Sequence, residues 1–114
     1  MPNSRWDETI ILDISHLASF TGGDEELVNA VLDTFCNNAP KYLVALIEAP
    51  ASDWKASAHK LKGAARSIGA WRLAAEAERA EHMVVPADDN PKRAVVLKEL
   101  AKRLEALLRH IRQK

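Results

Sequence analysis

Apolar residues recur at helical spacing along most of the chain. Leu27, Val31 and Phe35 follow one another every four residues and form one apolar stripe on a helix. Near the end of the chain the apolar positions repeat at alternating steps of three and four, a seam typical of helical bundles: Leu97, Leu100, Leu104, Leu107 and Ile111. Residues 54–68 and 70–85 form two further amphipathic stretches. The pattern therefore predicts four long helices.

Residues that favour turns and helix ends separate these stretches. A short helix near Asp13–Phe20 and a turn at Thr21-Gly22-Gly23 precede the first long helix. Pro40 is expected to break or kink that helix, because proline lacks a backbone N–H and disfavours helix at the preceding residue. The other signals are Ser52 or Asp53 as an N-cap, Gly69 as a C-terminal glycine, residues 86–90 as a loop, and Asn90-Pro91 as a helix start.

Short connections make successive helices antiparallel neighbours. The expected fold is therefore all-α: an antiparallel up-down four-helix bundle with a short additional N-terminal helix. Residues 1–9 are expected to be a flexible N-terminal tail, and residues 10–114 a single domain of this bundle type. A chain of 114 residues is long enough to bury one core.

The charge balance argues against several classes of function. The 16 basic and 16 acidic residues give a formal net charge of zero, so no overall field attracts nucleic acid or an anionic membrane.

Cys36 is the only cysteine, which excludes an intramolecular disulfide and a thiolate zinc site. The first residues contain no apolar signal core, and no stretch approaches the roughly 20 apolar residues of a membrane span. We therefore expect a monomeric cytoplasmic protein that binds neither nucleic acid nor membrane.

The helix over residues 54–68 carries the candidate chemistry. At about 100° per residue, its apolar side chains gather on one side: Trp54, Leu61, Ala64, Ala65 and Ile68. His59 lies almost opposite Ile68, on the face expected to meet solvent. A half-buried, hydrogen-bonded side chain is the more common state of a helical histidine, but this position disfavours it. Exposure alone does not imply function, since exposed histidines are common.

Cations surround this histidine. Lys55, Lys62 and Arg66 fall within about 60° of His59 on one flank of the face expected to meet solvent. Residues 54–75 contain five basic residues and no acid, which makes a local positive patch on a chain of zero net charge. Such a patch favours an acidic partner and a phosphoryl group on the imidazole. A solvated basic face is the alternative interpretation.

Gly63 lies one turn after the histidine, inside the helix, where glycine costs about 1 kcal/mol relative to alanine. In a helix rich in alanine, this residue indicates that another backbone or a partner's loop approaches His59 closely. Close packing against a neighbouring helix is the alternative, although Gly63 lies on the same side as the histidine.

These features fit one chemistry. A neutral imidazole is a competent nucleophile toward an acyl phosphate, and phosphoryl transfer needs mainly alignment and charge stabilisation from the acceptor. The sequence contains neither a phosphate-binding loop of the Gly-rich Lys-Ser/Thr type nor a carboxylate set for Mg²⁺. The remaining catalytic groups must therefore come from a partner.

Residues 58–63 (Ala-His-Lys-Leu-Lys-Gly), followed by residues 67–70 (Ser-Ile-Gly-Ala), resemble the signature of histidine-containing phosphotransfer (HPt) domains. The likeness extends over about residues 24–112. It implies a four-helix bundle with a phosphorylated, exposed His59. Lys62 would neutralise the phosphate and Gly63 would leave room for the partner's loops.

The resemblance also implies the partners and the role. The chain would accept a phosphoryl group from an aspartyl phosphate on a receiver domain of a hybrid sensor histidine kinase or a response regulator, and pass it to another receiver. It would be a carrier and not an enzyme, since the receiver, holding Mg²⁺, completes the chemistry; no cofactor is expected on this chain. The residues expected to contact the receiver are Lys55, Ala56, Lys60, Arg66, Ser67 and Ala70.

Two other functions fit parts of the pattern. The same bundle without phosphoryl acceptance would be a helical binding module for receivers or other signalling proteins, and His59→Gln would leave its binding intact. The dimerisation helices of a sensor kinase usually place an acid directly after the histidine, where this chain has Lys60. His16, His82 and His110 show no metal-ligand spacing, so no metal site is expected.

Overall fold

The structure is a computed structural model that describes residues 6–83 and 91–113. Within those residues it is all-helical, with five helices and no strand: α1 (Ile14–Thr21), α2 (Glu25–Glu48), α3 (Ala51–Ile68), α4 (Trp71–His82) and α5 (Pro91–Arg112). The predicted all-α class is confirmed. The predicted loop over residues 86–90, with Asn90 as an N-cap, lies outside the described residues.

Side-chain caps and a glycine set several helix ends. Asp13 Oδ1 accepts a hydrogen bond from the backbone N–H of His16. Asp24 Oδ1 accepts one from Leu27 in the same way, so each aspartate satisfies an N–H that a first turn leaves free. Gly69 ends α3 in the left-handed conformation (φ 78°), as its position predicts. An added Cβ at Gly69 would lie 2.9 Å from Asp13 Cβ, so space also requires glycine there.

α2 continues through Pro40, where the sequence predicts a break or kink. Proline removes one backbone hydrogen bond from the helix. Ala39 and Leu43, on either side of it, are buried in the core. Packing of these neighbours therefore holds the two halves of α2 in one helix across the missing bond.

The predicted ends of α3 and α4 also need correction. Neither Ser52 nor Asp53 is the N-cap of α3, because the helix already begins directly after Pro50, whose restricted φ suits a helix start. α4 ends at His82, short of the predicted end, because Met83 adopts an extended conformation (φ −73°, ψ 149°).

The four longer helices contact one another in a closed ring. α2 packs against α3, α3 against α4, α4 against α5, and α5 against α2, while α1 contacts α2. All four contribute to one core, in which Leu46, Leu61, Leu73 and Leu100 are almost completely buried. The connections on either side of α3 are short, which favours antiparallel neighbours. The up-down direction of the helices stays a prediction.

The segment before α1 is attached to the helices. The Glu8 carboxylate pairs with Arg79 of α4 and with Arg103 of α5. The hydrogen bond from Arg79 is the main reason that the pKa of Glu8 is lowered to about 2. Glu8 is therefore attached to α4 and α5. The flexible tail over residues 1–9 stays a prediction, and residues 1–5 lie outside the described part of the chain.

Candidate functional site

α3 presents His59 to solvent, as its position on the helix predicts. The His59 side chain is 63% exposed, whereas Trp54 and Leu61 on the opposite side of α3 are fully buried. Nδ1 of the ring lies 2.8 Å from Oε2 of Glu81 in α4. The histidine is therefore accessible to a partner and is at the same time held by its own chain.

The contact with Glu81 selects the tautomer of the ring. A carboxylate only accepts hydrogen bonds, so Nδ1 of neutral His59 carries the proton and donates to Oε2 of Glu81. Nε2 then keeps its lone pair, and it lies farther along the ring from Cβ than Nδ1 does. The site thus offers a nucleophilic nitrogen on an exposed ring whose orientation is fixed by its other nitrogen.

Lys62 is buried, in contrast to the exposed position beside the histidine that the helical wheel indicates. The residue is 6% exposed. Its Nζ lies 2.6 Å from Oε1 of Glu81 and 3.9 Å from Oε1 of Glu78. Both acids belong to α4, whose packing against α3 covers the flank on which Lys62 lies. The expected exposure is wrong, and the predicted role of Lys62 in phosphate neutralisation stays a prediction.

Glu81 is a site residue that the motif around the histidine does not reveal. Burial opposes ionisation of its carboxyl, but hydrogen bonds from Lys62 and His59 outweigh burial, so the pKa of Glu81 is lowered. Its side chain is 9% exposed and joins the imidazole to the ammonium group. The available signal is the family resemblance, in which Ala80-Glu81 stands where the family usually has Leu-Glu.

Gly63 faces open space. It is exposed, and a Cβ added there would meet no atom within 4 Å. Close packing against a neighbouring helix is therefore excluded among the described residues, and it cannot explain the cost of about 1 kcal/mol that glycine carries inside a helix. Clearance for a partner stays the prediction that accounts for this glycine.

Most of the residues expected to contact the receiver are exposed: Lys55, Ala56, Lys60, Arg66 and Ser67. Ala70 is not, and its assignment is wrong. It is 0% exposed, and its backbone N–H donates to the carbonyl oxygen of Ala65 at 2.9 Å. Ala70 lies in the connection between α3 and α4. Its side chain packs in the core, where no partner can reach it.

Two of the exposed cations lie over aromatic rings. Nζ of Lys60 is 5.8 Å from the ring centroid of Tyr42 in α2, and Cζ of Arg66 is 5.9 Å from that of Trp6. On the α4 side, by contrast, Glu81 and its neighbours bring acids to the edge of the patch. The surface around the histidine is therefore less basic than α3 alone indicates.

A groove lies between α2 and α3 beside the histidine face. Its larger part has a volume of about 360 Å³ and is lined by mostly apolar or small residues, including Val31, Phe35, Tyr42, Ala64 and Ser67. A second hollow shares Tyr42 and extends to Ala56 and Lys60. Ala56, Lys60 and Ser67, all expected contact residues, therefore lie along this groove on the α2 side of α3.

Two further features bear on the classes of function. Among residues 6–83 and 91–113, no group of three or more histidine, cysteine, aspartate or glutamate side chains could hold a metal ion. None of the five described helices has the length and apolar character needed to cross a membrane.

The family model of the Hpt domain matches residues 30–114, which is most of the chain. No curated protein and no solved structure matches the chain. The chain therefore belongs to the Hpt domain family. Domains of this family serve histidine phosphotransfer in phosphorelay signalling, interact with receiver domains, and are phosphoryl carriers rather than conventional enzymes.

Proposed function

We propose that this chain is a phosphorelay carrier. His59 accepts a phosphoryl group from the aspartyl phosphate of one receiver domain, in a hybrid sensor kinase or a response regulator, and passes it to the aspartate of another. The observation that carries this proposal is the exposed imidazole of His59 with its Nδ1 bound to Glu81. A partner can reach the other ring nitrogen, and the ring needs no reorientation before it reacts.

The transfer step needs no general base on this chain, because the attacking nitrogen carries no proton. Nε2 of neutral His59 donates its lone pair to phosphorus, the bond between phosphorus and the aspartyl oxygen breaks, and the aspartate leaves as a carboxylate. The ring keeps its Nδ1 proton and gains positive charge. The carboxylate of Glu81, 2.8 Å from Nδ1, stabilises that charge. The reverse step uses the same contacts.

The negative charge of the phosphoryl group is shared between the two proteins. Lys62 acts from beneath the site, where its ammonium group offsets the charge of Glu81. Lys55 and Arg66 are exposed on the same helix and add positive potential. The receiver is expected to hold Mg²⁺ and to complete the neutralisation, so this chain is expected to need no cofactor.

The receiver is expected to dock over the groove between α2 and α3. Gly63 leaves the turn after His59 open. A stable interface covers about 800 Å² on each partner, so a receiver that reaches His59 also covers the neighbouring surface. The apolar lining that Phe35 and Tyr42 give the groove suits the centre of such an interface.

We also propose that the chain acts as a monomer in the cytoplasm, and that its four longer helices form an antiparallel up-down bundle. The short connections on either side of α3 support that direction of the helices. Sedimentation equilibrium of the purified chain tests the monomer.

Phosphorylated receiver domains mixed with the purified chain test the transfer function. We expect an acid-labile phosphoryl group on His59, located by mass spectrometry at alkaline pH. His59→Gln should accept none. His110→Gln, which changes an exposed histidine of α5, should behave like the wild type. Receiver binding without phosphorylation, across several receivers, would instead support the non-transferring binding module.

A further inference from the structure

α4 ends one residue after Glu81, so the carboxylate that orients His59 lies in the last turn of a helix. The last four carbonyls of a helix have no partner within it, and helix ends fray. The position of Glu81 must nevertheless be closely fixed, because its two oxygens reach His59 Nδ1 at 2.8 Å and Lys62 Nζ at 2.6 Å. A group outside α4 is needed to hold this turn.

Trp54 of α3 supplies that group. Its indole N–H donates a buried hydrogen bond of 2.7 Å to the carbonyl oxygen of Ala80, the residue before Glu81. The backbone N–H of Met83 reaches the same oxygen only at 3.4 Å. The indole bond is shorter and hidden from water, since Trp54 is 0% exposed. Trp54 therefore caps the end of α4 from a neighbouring helix.

The indole ring is itself held from another side. Cζ of Arg93 in α5 lies 4.7 Å from the centroid of the Trp54 ring. Nη2 of Arg93 also donates to the carbonyl oxygens of Ile47 and Ala49 at the end of α2. A buried guanidinium group, held by two hydrogen bonds to the end of α2, therefore packs against the ring. Trp54 is thus rigidly placed on the helix that also carries His59.

We propose that Trp54 is a positioning residue for phosphoryl transfer. It holds the last turn of α4 so that Glu81 maintains the Nδ1–H tautomer of His59 and leaves Nε2 free to react. Two bonds then run from α3 to consecutive residues of α4, one to the backbone of Ala80 and one to the side chain of Glu81. The inference rests on the proposed function for its effect on transfer, but its effect on the tautomer exists in the unphosphorylated protein.

Trp54→Phe removes the indole N–H and keeps an aromatic ring in the core. The matched control is Trp71→Phe, which removes another indole hydrogen bond, from Trp71 Nε1 to Asp13 Oδ2 at 2.8 Å, at the opposite end of α4. The tautomer of His59 is read from the nitrogen chemical shifts of its ring at a pH where the ring is neutral. Reaction with phosphoramidate, a small phosphoryl donor, measures the reactivity of His59 without a receiver.

In Trp54→Phe we expect a smaller Nδ1–H population and phosphorylation by phosphoramidate about two- to tenfold slower, the range that one hydrogen bond of ordinary strength gives. Trp71→Phe should match the wild type in both measurements. A wild-type tautomer and rate in Trp54→Phe would overturn the positioning role. An equal change in both variants would also overturn it, because it would indicate general loosening of the fold.

A variant with an isosteric side chain covers the case in which Trp54→Phe fails to fold. β-(3-Benzothienyl)alanine at position 54 keeps the shape of indole and has sulfur in place of the N–H. The same change of tautomer is expected, and an unchanged tautomer would refute the role of Trp54. If the wild-type chain has the Nδ1–H tautomer but accepts no phosphoryl group from any receiver, the proposed function is contradicted. The effect of Trp54 on the tautomer is not.

Discussion

The ion pair between Lys62 and Glu81 should stabilise the fold as well as the site. Its N–O distance is 2.6 Å, and the two side chains are 8% and 9% exposed. At an effective dielectric constant of about 20, two unit charges at this distance attract each other by about 6 kcal/mol. The desolvation of two nearly buried charges offsets most of that attraction. We therefore expect a net coupling free energy of about 1–3 kcal/mol.

A double-mutant cycle measures this coupling. The variants are Lys62→Met, Glu81→Gln and the double variant, and urea denaturation at neutral pH yields their free energies of unfolding. Loss of Glu81 leaves the ammonium group of Lys62 buried with Glu78 at 3.9 Å as its remaining acid. Each single variant should be destabilised by about 2–3 kcal/mol, because it leaves one buried charge poorly paired. The double variant should lose less than the sum of the two.

The coupling should also depend on pH in a defined direction. The pKa of Glu81 is lowered in the folded chain: burial opposes ionisation, but the hydrogen bonds from Lys62 and His59 outweigh burial. A carboxyl of this kind contributes stability above its unfolded pKa of 4.5 and loses that contribution as the pH falls through the lowered folded pKa. A coupling below about 0.5 kcal/mol at neutral pH would refute the reasoning. So would a coupling that stays unchanged well below the unfolded pKa.

Three further sites give independent tests. Gly63→Ala should raise the free energy of unfolding by about 0.5–1 kcal/mol, since the added Cβ meets open space and alanine is the better helix former; Gly63→Gln should fold but block transfer from a phosphorylated receiver. Glu8→Gln should cost about 1 kcal/mol at neutral pH, after allowance for partial exposure of the Glu8 pair with Arg79. That difference from the wild type should fade as the pH falls from 4.5 to about 2, in denaturation curves at each pH. Leu61→Ala should cost about 2–5 kcal/mol in the same assay, because Leu61 is fully buried. Unimpaired transfer by Gly63→Gln, a pH-independent effect at Glu8, or a negligible loss at Leu61 would contradict the corresponding account.

Much of the fold can be predicted from periodic apolar positions, because burial decides which face of a helix turns inward. Leu100, Leu104 and Leu107 of the α5 seam are buried in the core as the pattern indicates. Pro40 shows where local propensity is overridden. It predicts a break or a kink there, and the burial of its neighbours, which depends on other helices, accompanies a helix that is not broken.

The site could be predicted only as far as one helix determines it. The exposure of His59 follows from the wheel of α3 alone. The surroundings of Lys62 do not, because they depend on which residues of α4 lie opposite, and periodicity within a helix does not report the register between two helices. The contacts of Glu81 with Lys62 and His59 cannot be predicted from the sequence for that reason. The burial of Ala70 cannot be predicted from one helix either, because Ala70 lies in the short connection between α3 and α4.

In the proposed relay, the group that orients the nucleophile is not a group that neutralises the phosphoryl charge. Glu81, a buried carboxylate, orients the ring of His59. Glu81 determines which ring nitrogen reacts, and it engages the ammonium group of Lys62 at 2.6 Å. That cation is therefore shared with a carboxylate and not devoted to the phosphoryl group. A chain that bound the phosphorylated state strongly would accept the group readily but pass it on slowly, since only stabilisation of the transition state over the bound state speeds a step. We expect a histidine that is firmly oriented, with its nearest cation shared with Glu81, to bind the phosphoryl group less strongly and to pass it on faster.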